Sequence, residues 1–153
     1  MNQATLCILT RENKICLGMK KRGFGQGKYN GFGGKKRPEE SAEAAAQREL
    51  FEEIKAGAKA MTKVAEITYF FPEKSDWNQL VHIYLVTEWE GEPEEGEEMT
   101  VAWFSRDKIP YDQMWDNDKY WLPRILKGEK IRAQVTHDEQ KTGNIEIESV
   151  AFF

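Results

Sequence analysis

Three glutamates, Glu49, Glu52 and Glu53, have a spacing that brings their carboxylates together on a helix. The surrounding stretch, 41–54, is rich in alanine, glutamate, glutamine and leucine, which favour helix formation. Side chains at i, i+3 and i+4 project within roughly a 100° arc of one helix face. Carboxylates crowded in this way repel one another, and oxygen ligands select a hard cation such as Mg²⁺ or Mn²⁺. The cluster predicts a metal site; a solvated acidic helix face is the alternative.

The helix that carries these glutamates has predictable ends and a predictable buried side. Ser41 is the expected N-cap. Ala46, Leu50 and Ile54 fall on an arc beside the carboxylates and are predicted to pack on a sheet. Because the nearest following glycine is Gly57, the helix is expected to continue one or two residues past Ile54 before a left-handed residue ends it.

A glycine-rich loop precedes this helix. Residues 20–34 contain six glycines together with lysines and an arginine. Glycines let a backbone approach a ligand closely, and the cations supply a positive potential that the net charge of −4 lacks. The loop therefore suggests a site for a phosphate compound, although a flexible hairpin turn with a solvated basic flank gives the same pattern.

Length and composition limit the function classes. A chain of 153 residues is expected to form one domain, 1–153, with a real core. No early apolar run is long enough for a signal peptide or a membrane span, so we expect a cytoplasmic protein without a membrane partner. We also expect a monomer. The negative net charge argues against binding to long nucleic acids. Cys7 and Cys16 lie in apolar runs and are expected in the core, without zinc or a disulfide.

Short strands interrupted by two helices predict a layered α/β sandwich. The expected strands are 5–10, 15–19, 64–71, 80–86, 100–104, 131–136 and 145–150. The second helix is expected over 118–126 with its N-cap at Asn117 or Asp118, and Pro123 is expected to keep it short or broken. Residues 88–98 predict an exposed acidic loop, and the last two strands are expected to form a hairpin around a polar turn at 138–144.

The spacing around the acidic helix resembles a known motif. Five residues separate Gly34 from Glu40 and seven separate Glu40 from Arg48, which opens the run Arg-Glu-Leu-Phe-Glu-Glu. This resembles the Nudix box, G-x5-E-x7-R-E-U-x-E-E-x-G-U with U aliphatic. Lys55 stands where the box has its last glycine. The resemblance implies a Nudix α/β/α sandwich with a mixed β-sheet.

A narrower resemblance runs in register from about Leu6 to Leu126. Segments 20–25, 29–35, 98–99, 103–104, 109–110 and 114–121 are similar to the animal oxidised purine nucleoside triphosphatases, a MutT-type family. This implies Mg²⁺-dependent hydrolysis of a small nucleotide such as 8-oxo-dGTP to the monophosphate and pyrophosphate. A Nudix hydrolase of an undamaged nucleotide, a dinucleoside polyphosphate or a nucleotide sugar is the alternative, and a silent Nudix-fold binding domain is a third interpretation.

The resemblance also implies roles for individual residues. The implied metal ligands are the Gly33 carbonyl, Glu49, Glu52, Glu53 and Glu98. The four glutamates are also candidates for the catalytic base, while Arg48 would hold one of them and Glu40 would be structural. The implied substrate-binding residues are Lys20 and Lys35 for the phosphates and Phe24, Asn30, Phe71, Trp115, Asn117 and Asp118 for the base. Trp103 and Trp121 are expected in the core.

The base edge departs from the family pattern. Where the animal enzymes have two adjacent aspartates, this chain has Asn117 and Asp118. Two close carboxylates can share a proton and alternate between donating and accepting, whereas an amide cannot. We therefore expect a narrower range, with 8-oxo-dGTP favoured over 2-hydroxy-dATP.

Overall fold

The computed structural model describes residues 1–138, 141–151 and 153. Within them, the elements are β1 (Asn2–Arg11), β2 (Lys14–Met19), β3 (Tyr29–Asn30), α1 (Ala42–Ile54), β4 (Gly57–Phe70), β5 (Gln79–Glu90), β6 (Ala102–Ser105), α2 (Asp118–Leu126), β7 (Lys130–His137) and β8 (Thr142–Val150). Short 3-10 turns lie at Ser75–Trp77 and Tyr111–Gln113.

One mixed sheet has the strand order β3-β2-β1-β5-β4-β7-β8, with β6 beside β2. The β1–β5 and β4–β7 pairs are parallel, and the remaining pairs are antiparallel. Consequently β1 and β5 begin at the edge of the sheet where β4 and β7 end. The structure therefore brings together side chains from four distant parts of the chain.

Each face of the sheet is covered by one helix. Along β1, Cys7 and Leu9 belong to the core beneath α1, while Ile8 belongs to the core beneath α2. This alternation follows from the two-residue side-chain period of a strand. Leu50 and Ile54 of α1 are fully buried, as predicted. The α/β/α sandwich with a mixed sheet is confirmed.

Strands β4 and β5 are longer than predicted. They pair from Gly57↔Glu90 to Tyr69↔Gln79, so the predicted acidic loop begins only after Glu90. The prediction was wrong for residues 57–63 and 88–90 because backbone pairing continues there through charged residues and bulges. β6 also starts two residues later than predicted, at Ala102.

The helix ends are partly as expected. Ser41 caps α1, since its side chain accepts a hydrogen bond from the Ala44 N–H at 3.1 Å. The expected extension past Ile54 was wrong. Lys55 itself adopts the left-handed conformation, with φ of 62°, and donates its N–H to the Phe51 carbonyl. Helix α2 spans the predicted residues, and Pro123 lies inside it without shortening it.

The remaining fold predictions concern the cysteines and the tail. Cys7 and Cys16 are buried and unpaired, in agreement with the prediction. The β7–β8 hairpin is confirmed, while residues 139 and 140 of its predicted turn lie outside the described residues. Within the described part of the chain, no helix has the length and apolarity needed to cross a bilayer.

Candidate active site

A cavity of about 450 Å³ lies at the sheet edge where β1 and β5 begin and β4 and β7 end. This volume is within the range of small-ligand sites. The structure brings twelve of the predicted site residues to its wall: Lys20, Phe24, Asn30, Gly33, Lys35, Glu49, Glu53, Phe71, Glu98, Trp115, Asn117 and Asp118. Arg48 and Glu52 do not line it in the structure.

The acidic end of the cavity is formed by α1. Glu49 and Glu53 line the cavity, whereas the Glu52 side chain is about half exposed. Arg48 lies behind them and donates to Glu49 Oε1 at 2.8 Å and to Glu52 Oε2 at 3.3 Å. Its other nitrogens hold both oxygens of Glu40, at 2.6 and 2.8 Å. Arg48 therefore fixes the orientation of the acidic ridge from outside the cavity.

The glycine loop approaches these carboxylates more closely than a side chain would allow. The Gly33 N–H donates to Glu53 Oε1 at 2.8 Å. A Cβ on Gly34 would lie 2.5 Å from Glu49 Cδ, and one on Gly33 would lie 1.8 Å from the Thr5 carbonyl oxygen. Such separations are shorter than real Cβ contacts, so Gly33, which faces backbone, needs to be glycine, while a side chain at Gly34 would displace the Glu49 carboxylate.

The ionised form of the Glu53 carboxyl group is disfavoured by its surroundings. Its pKa is raised to about 7, mainly by burial and to a smaller extent by the charges of Glu49 and Glu98, while the Gly33 hydrogen bond and the charge of Lys20 act in the opposite direction. A buried carboxylate beside other negative charges is stabilised by a neutralising cation. The oxygen-only donor set fits a hard divalent ion.

The predicted metal ligands are not assembled into one cluster. Among the described residues, no group of three or more acidic, histidine or cysteine side chains is close enough to hold an ion. Glu98 accepts from Arg22 Nε at 2.9 Å and Nη2 at 2.6 Å, and this pairing lowers the pKa of Glu98. Glu52 faces Arg48.

The opposite end of the cavity is aromatic. Five rings form a closed circuit of neighbouring contacts, with centroid separations from 5.0 to 5.7 Å: Phe24, Trp77, Phe71, His137 and Trp115. Phe24 stacks on Trp115 at 5.0 Å, while the other contacts are edge-on or tilted. Flat apolar walls of this kind suit a planar heterocyclic base. His137 lines the cavity, whereas Trp77 packs against Phe24 and Phe71 without lining it, and neither was in the predicted site.

Polar groups form the floor between these walls. Asn117 and Asp118 are almost fully buried, with 1% and 3% of their surfaces exposed. Asn117 Oδ1 accepts from Tyr69 Oη at 3.1 Å and from Trp121 Nε1 at 3.0 Å. Burial raises the pKa of Asp118 to about 8, with a smaller contribution from Asp116. Asn30, also in the wall, accepts the Gly31 N–H.

The cavity residues that were not predicted share one feature of their strands. Tyr69, Gln79 and His137 line the cavity, and each extends the buried face of its strand to the sheet edge. In β7, for example, 131, 133 and 135 are buried residues of the α2-side core, and His137 is the next residue on that face. A polar residue at the end of an apolar alternation could have indicated the pocket. Trp121 is buried as predicted and also reaches the cavity, while Trp103 is only partly buried.

A carboxylate-bearing helix beneath a glycine loop, at one edge of an α/β/α sandwich, is the arrangement of a Nudix hydrolase. The chain belongs to this family, since the NUDIX domain model matches residues 1–125. It is 43% identical over 127 residues to the oxidized purine nucleoside triphosphate hydrolase of Danio rerio, covering 83% of this chain and 81% of that protein. The Mus musculus protein of the same name is 40% identical over 141 residues, covering 90% and 88%.

Solved structures show the same fold. A MutT protein of Bacillus halodurans superposes with a TM-score of 0.85 over 97% of this chain and 98% of that chain, at 21% identity. A MutT NUDIX hydrolase of Burkholderia pseudomallei gives 0.66 over 71% and 86%, at 24% identity. Nudix hydrolases generally use divalent metal ions, so the carboxylates of the cavity are the candidate ligands.

Proposed function

We propose that this protein hydrolyses oxidised purine nucleoside triphosphates, 8-oxo-dGTP foremost, to the monophosphate and pyrophosphate, and so removes them from the nucleotide pool. One observation carries the proposal: a single cavity has carboxylates and lysines at one end and an aromatic, hydrogen-bonding pocket at the other. A nucleotide has the same two ends. The names of the relatives from Danio rerio and Mus musculus support the same substrate class.

The proposed cofactor is Mg²⁺, with Mn²⁺ as a substitute, held by Glu49, Glu52, Glu53, Glu98 and the Gly33 carbonyl. When bound, such an ion withdraws charge from phosphate oxygens and lowers the pKa of a coordinated water. One of the four carboxylates accepts the proton of the attacking water. Glu49 and Glu53 lie in the cavity wall, and Arg48 holds Glu49 from behind. These positions support the proposal that the carboxylates bind the ion and that one of them acts as the base.

The lysines and the glycine loop serve the leaving phosphates. Lys20 and Lys35 line the cavity beside the carboxylates and would pair with phosphate oxygens. Their charges offset the negative potential that a chain of net charge −4 presents to a triphosphate.

Selectivity is assigned to the aromatic end. The purine would lie against Trp115, with Phe24 and Phe71 as further walls, and its edge would meet Asn30, Asn117 and Asp118. Since the Asn117 amide cannot titrate, we propose that 8-oxo-dGTP is preferred over 2-hydroxy-dATP. Comparable kcat/KM on these two substrates would refute that preference.

A substrate panel with pyrophosphate detection tests the function. The panel holds 8-oxo-dGTP, dGTP, a dinucleoside polyphosphate and a nucleotide sugar, each with and without Mg²⁺. We expect 8-oxo-dGTP to give the highest kcat/KM and no turnover without a divalent ion. Turnover restricted to the sugar or the dinucleoside compound would assign the chain to another Nudix substrate class.

Individual Glu→Gln changes test the mechanism. Replacement of Glu49, Glu52, Glu53 or Glu98 should lower kcat by one or more orders of magnitude at the most important of these positions. Glu39→Gln, on an exposed residue outside the cavity, is the matched control. Full activity in all four variants would contradict the mechanism. We further propose that the protein is a cytoplasmic monomer. Light scattering on the purified chain gives its mass and so tests the monomeric state.

A further inference from the structure

The side-chain amide of Asn117 has a single orientation. Its Oδ1 lies 3.0 Å from the indole nitrogen of Trp121, which can only donate a hydrogen bond. The atom facing Trp121 must therefore be the oxygen, and a flipped amide would set two N–H donors against each other. Trp121 cannot move aside easily, because only 2% of its surface is exposed.

Tyr69 adds a second contact to the same oxygen. Its hydroxyl lies 3.1 Å from Asn117 Oδ1. Burial raises the pKa of Tyr69 well above its ordinary value, so the phenol stays protonated and donates. With both contacts taken by Oδ1, the Nδ2 group remains for the cavity, which Asn117 lines. Among the described residues, no protein partner is found for Nδ2.

Asp118, the neighbour of Asn117, is the adaptable member of the pair. Its Oδ2 is buried and has no hydrogen-bond partner among the described residues. A carboxyl that can hold a proton either donates or accepts, as the base requires. The locked amide, in contrast, offers only N–H donors to the base. Selectivity at this edge therefore resides in Asn117 and in the groups that hold it.

We propose that Tyr69 is a positioning residue that sets base selectivity: its hydroxyl, together with Trp121, holds Asn117 with its N–H donors toward the ligand, so the pocket accepts 6-oxopurines and rejects 6-aminopurines. This inference rests on the proposed function and names the substrate class of the same site. In this arrangement the C6 edge of the base lies at Asn117, so that a 6-carbonyl accepts from the Asn117 amide. A 6-amino group would place donor against donor and leave buried polar groups unpaired, which costs binding.

The test uses 8-oxo-dITP and 8-oxo-dATP, which carry an oxo and an amino group at C6 and otherwise differ only in the hydrogen on N1 of the first. The wild-type protein should favour 8-oxo-dITP in kcat/KM by about tenfold or more, a preference typical of an unpaired buried polar group. Tyr69→Phe removes only the hydroxyl and should reduce that ratio by about threefold or more. Asn117→Asp, which presents an acceptor instead, should raise activity on 8-oxo-dATP. The changes should appear in KM, because Tyr69 lies at the base end and away from the carboxylates.

Tyr84→Phe is the matched control. Tyr84 is a buried tyrosine in the core beneath α1, on the other face of the sheet. Its replacement should leave the ratio of kcat/KM for the two nucleotides unchanged. An unchanged ratio in Tyr69→Phe, or a wild-type protein that treats both nucleotides alike, would overturn the inference.

Binding measurements separate this inference from the proposed function. Calorimetry with 8-oxo-dIMP and 8-oxo-dAMP reports base recognition without turnover. Equal binding of the two monophosphates by the wild-type protein would overturn the selectivity role of Tyr69 even if 8-oxo-dGTP is hydrolysed. Absence of hydrolysis of every oxidised purine triphosphate would instead overturn the proposed function. Unequal binding of the monophosphates by the wild-type protein, with a smaller difference in Tyr69→Phe, would still support the role of Tyr69.

Discussion

The carboxylate of Asp116 accepts hydrogen bonds from both the backbone N–H and the hydroxyl of Thr142, with the N–H 3.1 Å from each oxygen. Asp116 precedes α2, and Thr142 begins β8, so this contact ties the C-terminal hairpin to the aromatic end of the cavity. His137, at the end of β7, lies within 4.0 Å of the same carboxylate and against the Trp115 ring. The tail therefore forms part of the cavity wall as well as the sheet.

Thr142→Val should weaken base binding without affecting the acidic end. Loss of the hydroxyl removes one hydrogen bond, worth about 0.5–1.5 kcal/mol, and loosens the loop that carries Trp115. We expect KM for 8-oxo-dGTP to rise a few-fold while kcat changes little. Thr62→Val, at an exposed position of β4 outside the cavity, is the control. Equal KM values in the two variants would argue against a role for the tail in binding.

Gly34→Ala should disable the acidic end. The added Cβ would meet Glu49 Cδ at 2.5 Å and displace that carboxylate from the position in which Arg48 holds it. We expect kcat to fall by roughly tenfold or more, since small displacements of catalytic groups are costly. Circular dichroism should still show a folded protein. Gly57→Ala is the matched change, because its Cβ would meet nothing closer than 3.9 Å; a comparable loss there would undermine the steric argument.

Asp118→Asn should change how stability depends on pH. Burial raises the pKa of Asp118 to about 8, from 3.8, so the folded state binds a proton that the unfolded state releases. The stability contribution of that proton is fully present below pH 3.8 and is lost as pH rises to about 8. The amide has no such dependence. In urea unfolding, the free energy of unfolding of the variant relative to that of the wild type should be higher at pH 8 than at pH 5. Identical pH slopes would show that Asp118 is already ionised in the folded protein.

The two thiols should be unreactive in the native protein. Burial raises the pKa of Cys7 and of Cys16 to about 12, so almost no thiolate exists at pH 8. Neither side chain is exposed. A thiol-specific reagent should label neither cysteine while the protein stays folded. It should label both after denaturation. Rapid labelling of the native protein at either position would mean that this core opens readily.

The acidic helix and its cap were predictable because they depend on neighbours in the chain. Ser41 caps α1 by accepting a hydrogen bond from the N–H of Ala44, three residues away. The burial of Leu50 and Ile54 follows from the helical period. The last turn was predicted wrongly at Lys55. A lysine takes the left-handed conformation there because the chain must turn directly into β4, a demand set by the sheet and not by local preference.

The aromatic end of the cavity was predicted only in part. Trp115, Asn117 and Asp118 lie in one short segment, and the resemblance to a family identified them together. Tyr69 and His137 come from strands that meet this segment only after the sheet has formed. Nothing near Tyr69 in the chain indicates that its hydroxyl would contact Asn117, 48 residues later.

The amino-acid sequence alone determined the helix, its carboxylate ridge, the glycine loop and the family, because these depend on spacings within one segment. Tertiary structure decided that Glu98 pairs with Arg22, that His137 closes the aromatic circuit and that Asn117 is held by Tyr69 and Trp121. The physical reason is the range of the interaction. Periodicity is a local property of the backbone, whereas a hydrogen bond between distant segments exists only where strand order and register bring its two atoms within about 3 Å.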